Sequence, residues 1–198
     1  MTTRGGAARG MVISSARSME TAGAVGHKII AELKDDDFLY PILPIENIAK
    51  DVLASVVRQE RSDAQCLIAI RQPVPQLFLF QFGNINNEYG PICQKMESIA
   101  IAGDNLNAAI FWGERYYARL PIEQLIPLAA HLIVCAHKLN TATIDGLEIV
   151  LCTTSAIRRL SAESIEELKV KADEWDKTIS KLFLNHRQQF TYAPDVVG

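Results

Sequence analysis

The stretch MESIAIAGDNLNAAIFWGERYY, from Met96 to Tyr117, decides the fold of this chain. Ser98–Ala102 is a short, compact apolar run that predicts a strand, and Gly103 ends it. Asn105–Tyr117 follows with apolar residues at helical spacing, which predicts an amphipathic helix. A strand, a glycine and a helix in close succession favour a layered domain that mixes helices and sheets.

Downstream of this stretch, the pattern continues with one more helix, two strands and a final helix. A helix that begins at Pro121 suits a first-turn proline, although Pro127 should kink it. Ser161 is placed to cap the final helix. The predicted elements are a helix over Pro121–Leu139, strands over Leu147–Cys152 and Arg158–Leu160, and a helix over Ala162–Leu184.

The front half is less regular, and its elements are shorter. Strand-like runs begin at Met11 and at Lys28, and apolar spacing predicts a helix over Ile45–Gln59. Strands over Cys66–Ile70 and Leu77–Phe82 follow, whereas Lys34–Pro44 and Asn84–Pro91 are predicted to be loops. We expect one domain over residues 1–198, with flexible ends at 1–10 and 185–198.

Composition excludes several classes of protein. Apolar residues make up 48% and charged residues 22% of the 198 residues, as in ordinary globular domains. The formal net charge of -3 and the lack of a basic stripe argue against a nucleic-acid partner. The longest apolar run, Leu125–Ala136, is too short to span a bilayer, and the N-terminus has no signal-peptide pattern. We therefore expect no membrane partner and a cytoplasmic location.

The four cysteines point to free thiols. Cys66, Cys93, Cys135 and Cys152 show no CxxC spacing and lie in apolar surroundings, as expected of buried thiols in a reducing compartment. His131 lies six residues before His137, a spacing that does not put two metal ligands on one helical face. The sequence has no phosphate-binding glycine loop and no GxSxG motif, so we expect neither a metal nor a cofactor.

The ordered set of motifs resembles that of the proteasome-type subunits, members of the N-terminal-nucleophile hydrolase superfamily. The motifs that carry the resemblance in the second half are MESIAIAGD (Met96–Asp104), Ala108-Ala109, Tyr116-Tyr117, LPIEQLI (Leu120–Ile126), GLEIVL (Gly146–Leu151), IRRLS (Ile157–Ser161) and IEEL (Ile165–Leu168). The front half matches more loosely, through CLIAI (Cys66–Ile70), LFLF (Leu77–Phe80), GMVISSAR (Gly10–Arg17), Lys28-Ile29 and Met1-Thr2-Thr3. The resemblance implies a four-layer α/β/β/α sandwich.

The resemblance also implies a site. In this family an N-terminal threonine, exposed by removal of the initiator methionine, attacks the scissile carbonyl while its own α-amine accepts the proton. The matching residues here are Thr2 as nucleophile, Lys28 as the supporting lysine and Arg17 as its charged neighbour. An active chain would be a threonine-type peptidase with a peptide substrate.

Several positions depart from the family pattern. Ser15 stands where the family has an aspartate that orients the lysine, and 28–45 contains no glycine to supply the oxyanion donor. Asp145 lies near the position of the carboxylate that supports the terminal amine, but in another register. A natural start elsewhere in a longer chain, or a missing internal segment, is an alternative explanation for the weaker front half.

Three functions therefore stay open. The first is the threonine peptidase. The second is a catalytically inactive subunit that assembles with itself or with related subunits into rings, for which the resemblance implies Asn105–Tyr117 and Pro121–Leu139 as the assembly surface. The third is an unrelated α/β binding module with no ligand indicated by the sequence.

Overall fold

The computed structural model describes residues 10–17, 19–55, 63–85, 88–103, 113, 115–139 and 146–187. Thr2 and most of the two predicted flexible ends lie outside these ranges. In chain order the elements are β1 (Met11–Arg17), α1 (Met19–Glu32), a 3-10 helix (Asp35–Leu39), α2 (Ile42–Ser55), β2 (Ala64–Ile70), β3 (Gln76–Ile85), β4 (Glu88–Met96), α3 (Ile122–Leu139), β5 (Val150–Cys152), β6 (Ile157–Arg159) and α4 (Ala162–Arg187).

The centre of the molecule is an antiparallel sheet with the strand order β1-β2-β3-β4. Ser15 pairs with Cys66, Cys66 with Phe80, and Phe80 with Cys93, so one row of side chains crosses all four strands. Because side chains alternate between the faces of a strand, this row and those two residues away from it share one face. Alternate residues of β2 from Ala64 to Ile70 are fully buried.

Helices α1 and α2 cover this face and form the main core with it. Each helix presents an apolar stripe to the sheet, as expected for helices packed on one side. Gly26 of α1 lies so close to β1 that an added Cβ would stand 3.3 Å from Ile13 Cγ2. The buried core residues are Met11, Ile13, Ala22, Val25, Ile29, Leu33, Phe38, Ile45, Ala49, Leu53, Ala64, Cys66, Ile68, Ile70, Phe78, Phe80, Phe82 and Cys93.

A second sheet consists of the antiparallel hairpin β5-β6. Its turn is tied to the central sheet, because Arg71 Nη1 donates a hydrogen bond to the carbonyl oxygen of Ser155 over 2.9 Å. On the face of the central sheet that α1 and α2 leave uncovered, the buried Gln65 side chain accepts a 2.7 Å hydrogen bond from the Gly103 N–H.

The second helical layer is the pair α3 and α4. Leu132 and Ala136 are buried with Ile99 and Leu128 in a small core of their own. Ser161 Oγ accepts a hydrogen bond from the Ser164 N–H over 3.2 Å, which confirms the predicted cap of α4. Two helical pairs and two antiparallel sheets confirm the predicted α/β/β/α class.

Four local predictions were wrong. Lys34–Pro44, expected to be a loop, contains the 3-10 helix and the first residues of α2, because Phe38 is buried in the main core. The strand expected at Lys28 is the third turn of α1, because Val25, Ile29 and Leu33 recur at helical spacing and are all buried. Ser98–Ala102 is not a strand, since the chain there leaves the central sheet for the second helical layer.

Asn84–Pro91, expected to be a loop, contains the end of β3 and the start of β4, which pair from Leu77–Met96 to Ile85–Glu88. The expectation failed because long polar strand ends near a hairpin turn lack the apolar alternation that marks a half-buried strand. Within the part of the chain that is described, no helix is long and apolar enough to cross a membrane.

Candidate functional site

The lysine that the family resemblance assigns to catalysis lies on the side of α1 that faces α2. The buried stripe of this helix faces β1 and β2, and Lys28 lies outside this stripe, with a side chain 47% exposed. It forms an ion pair with Glu32, one helical turn further along. Lys28 and Glu32 line a cavity of about 620 Å³ between α1 and α2, together with His27, Asp51 and Ser55.

The surroundings of Lys28 hold its amine in the charged form. The hydrogen bond that Lys28 donates to Glu32 raises the pKa of the Lys28 amine above its ordinary value, the charge of the same carboxylate adds to this effect, and Asp51 contributes less. A lysine of this kind stays an ammonium at neutral pH and already has an acidic partner.

The other two predicted site residues belong to the front of the chain. Arg17 is the last residue of β1 and is paired with Ala64, while its side chain, like the whole of Thr2, lies outside the described part. Ser15 is buried, with its Oγ 4.0 Å from Cys66 Sγ. Lys28 belongs to α1 and pairs with Glu32, whereas Arg17 is the last residue of β1.

The buried thiols of Cys66, beside Ser15, and Cys93, beside α2, have low reactivity at neutral pH. Desolvation by burial raises the pKa of the Cys66 thiol to about 11, and the thiol also donates a hydrogen bond to the carbonyl oxygen of Ala22 over 3.6 Å. Burial, with the nearby Glu46 carboxylate, raises the pKa of Cys93 to about 12. Since the thiolate is the reactive form, neither side chain is suited to be a nucleophile at neutral pH.

The structure also shows a cysteine–histidine pair that the sequence reasoning missed. Cys135 Sγ lies 3.6 Å from His131 Nε2, one turn apart on α3, and the His131 ring packs edge-on against Trp175 of α4. The i,i+4 spacing was the available signal. Burial raises the pKa of the Cys135 thiol, so the pair favours the neutral thiol over an activated thiolate. No group of three metal-ligating side chains occurs among the described residues.

Comparison with known proteins shows what this chain is similar to. No family model matches the chain. A proteasome subunit beta from Archaeoglobus fulgidus is 23% identical over 171 residues, which cover 80% of this chain and 76% of that protein.

Solved structures of similar shape include those of Anbu proteins. The Gly-1 mutant of Anbu from Hyphomicrobium sp. strain MC1 superimposes with a TM-score of 0.59 at 15% identity, covering 89% of this chain and 80% of the other. Anbu from Pseudomonas aeruginosa, solved as a helical assembly, gives 0.60 at 12% identity, covering 95% and 82%. Anbu, the ancestral beta-subunit, from Yersinia bercovieri gives 0.58 at 10% identity, again covering 95% and 82%.

The archaeal relative is a proteasome subunit beta, and the motifs between Met96 and Leu168 of this chain resemble those of proteasome-type subunits. Both sets of comparisons span most of this chain. The chain is therefore similar in fold to Anbu proteins and similar in sequence to a proteasome subunit beta.

Proposed function

We propose that this protein is a structural, self-assembling proteasome-like subunit that does not itself cut peptides. The observation that carries the proposal is the pairing of the Lys28 ammonium with Glu32 on α1. We expect a lysine that already has an acidic partner not to support a nucleophile. The presence of Ser15 in place of an orienting aspartate supports the same function.

Self-assembly is supported by one of the similar structures. The Anbu protein of Pseudomonas aeruginosa is described as a helical assembly, and its chain matches 95% of the present one in fold. We propose that this chain also associates with copies of itself, into a ring or a helical array. The free cysteines support our placing the assembly in the cytoplasm.

The competing function is a threonine-type peptidase with Thr2 as nucleophile and Arg17 and Lys28 in support. The sequence Met1-Thr2-Thr3 favours it, because a threonine after the initiator methionine permits its removal and leaves a free Thr2 amine. The substrate would be a peptide.

Intact-mass measurement before and after treatment with a peptide epoxyketone separates the two functions. We expect no adduct, even at high probe excess, and no change in the assembled state of a Thr2→Ala variant. A single adduct on Thr2 would establish the peptidase. In that event Lys28→Met tests the named lysine: unchanged labelling would remove Lys28 from the site while leaving Thr2 in it.

A further inference from the structure

An acidic and apolar surface stands out where the 3-10 helix meets α2. Tyr40 is 85% exposed, and Leu39 and Leu43 are each about three-fifths exposed. Asp35 and Asp36, both exposed, lie immediately before them. We name these five residues the acidic patch. Ile42 adds a smaller apolar area to it.

The acidic patch is held in a defined shape. Phe38 is buried in the main core and fixes the 3-10 helix to that core. Asp37 accepts a 2.9 Å hydrogen bond from the Lys34 N–H with its carboxylate, and a 3.1 Å bond from the Tyr40 N–H with its carbonyl oxygen. A preformed surface loses little conformational entropy when a partner binds it.

The composition of the acidic patch fits an interface. Leu39, Tyr40 and Leu43 place three large apolar side chains at the surface, close in sequence to the exposed carboxylates of Asp35 and Asp36. This charge calls for a partner that is both apolar and basic.

The chain carries such a surface at the junction before α3. Arg115 and Arg119 are exposed there, beside Leu120 and Ile122, which are 40% and 36% exposed, and Tyr116, which is half exposed. We name these five residues the basic patch. Glu123 follows in the first turn of α3, where a negative charge favours the helix terminus.

The basic patch is also preformed. The Tyr117 N–H donates to the carbonyl oxygen of Gly113 over 2.9 Å, and the Leu120 N–H donates to that of Ala118 over 2.8 Å. Gly113 itself is buried so closely against Ile99 and Ile101 that an added Cβ would lie 3.0 Å from each. This packing fixes the junction to the second helical layer.

The two patches belong to opposite helical layers, because one is built on α1 and α2 and the other on the junction into α3. One copy can therefore use both at the same time. We infer that the acidic patch of one copy docks onto the basic patch of the next. A contact between two different surfaces of the same chain is heterologous, and it generates a ring when the rotation closes or a helical filament when it does not. This inference rests on the proposed self-assembly and identifies the two surfaces that meet between neighbouring copies.

Sedimentation velocity of the full chain over a concentration series tests the contact. Asp35→Lys/Asp36→Lys reverses the charge of the acidic patch, and Arg115→Glu/Arg119→Glu reverses the charge of the basic patch. Each variant alone should need at least about tenfold more protein to assemble, since like charges then face each other. A mixture of the two should assemble near the wild-type concentration, because each altered patch then meets one of opposite charge. The chain with all four substitutions should also assemble.

Matched controls change the same charge elsewhere on exposed positions of α4. They are Glu167→Lys/Glu174→Lys for the first variant and Lys177→Glu/Lys181→Glu for the second, and neither should alter assembly. High salt should weaken the wild-type assembly, because it screens exposed charges. Circular dichroism melting confirms that each variant is folded.

The outcomes separate the contact from the proposed function. Recovery of assembly in the mixture supports the contact. If the wild type assembles and each patch variant assembles equally well, the contact is overturned and self-assembly still stands. Failure of the mixture and of the fourfold variant also overturns it. A wild type that stays monomeric at micromolar concentration overturns both.

Discussion

The Glu46 carboxylate of α2 accepts a hydrogen bond from the backbone N–H of Cys93 in β4, with a donor–acceptor distance of 2.9 Å. Because β4 is the last strand of the sheet, an N–H on its outer side has no further strand to donate to. Glu46 supplies the missing acceptor and joins the helical layer to the sheet edge. An edge strand completed in this way offers less unpaired backbone to a second chain.

Glu46→Ala should therefore lower the free energy of unfolding by about 1–2 kcal/mol, because it leaves a partly buried N–H without its acceptor. Glu46→Gln keeps an acceptor oxygen of the same reach and should cost less than half as much. Urea denaturation of both variants measures the difference. Equal losses for the two variants would show that the contact is not what stabilises the edge.

Phe80 is one of the aromatic side chains of the main core. It is fully buried and lies in the row between Cys66 and Cys93. Phe80→Ala should lower the free energy of unfolding by about 3–5 kcal/mol, through lost burial and the cavity left behind. Leu184→Ala, at an exposed position of α4, should stay within about 0.5 kcal/mol and serves as the control in the same denaturation series. A loss below about 1 kcal/mol for Phe80→Ala would contradict the packing described.

Lys138 of α3 joins two aspartates of α4, 2.8 Å from Asp173 Oδ1 and 2.9 Å from Asp176 Oδ2. This lysine lowers the pKa of Asp173 below its ordinary 3.8, and the aspartates raise the pKa of Lys138. The stabilisation from the lowered aspartate is present above pH 3.8 and is lost as the pH falls below it. The stabilisation from the raised lysine is present below pH 10.5 and is lost at more alkaline pH.

Lys138→Met should accordingly lower the free energy of unfolding by about 0.5–1 kcal/mol at pH 7, since solvent screens a contact this exposed. The difference from wild type should shrink in acid, where the aspartates are protonated. Lys171→Met, an exposed substitution on α4 with the same charge change, is the control. A loss that is the same at pH 7 and in strong acid would assign the effect to packing of the lysine stem instead of charge.

The buried thiols predict a pattern of chemical modification. In the native protein at pH 7.5, Cys66 and Cys93 should resist iodoacetamide because their pKa values are raised to about 11 and 12. Unfolding returns both to about 9, so the stabilisation from their neutral thiols is present below pH 9 and is lost as the pH rises from there. Peptide mass mapping before and after unfolding measures the labelling. Rapid native labelling of either residue would show that the core opens locally.

The sequence and the structure agree where the periodicity is long. Apolar spacing predicted a helix over Ile45–Gln59 and another over Pro121–Leu139, and the structure has α2 at Ile42–Ser55 and α3 at Ile122–Leu139. The short run at Lys28 failed because three apolar letters fit a strand and a helix equally well. The deciding residues, Val25 and Leu33, lie outside that run.

The sequence by itself determined the class of the fold, because the spacing of apolar residues fixes which elements form and the order of motifs resembles that of proteasome-type subunits. It also determined the cap of α4, which depends only on Ser161 and its next turn. Only the tertiary structure decided where Lys28 points, because that depends on which face of α1 the sheet buries. The tertiary structure also decided the Glu46–Cys93 contact, because packing brings α2 to β4. It decided the two patches of opposite charge as well, because packing leaves their apolar side chains exposed.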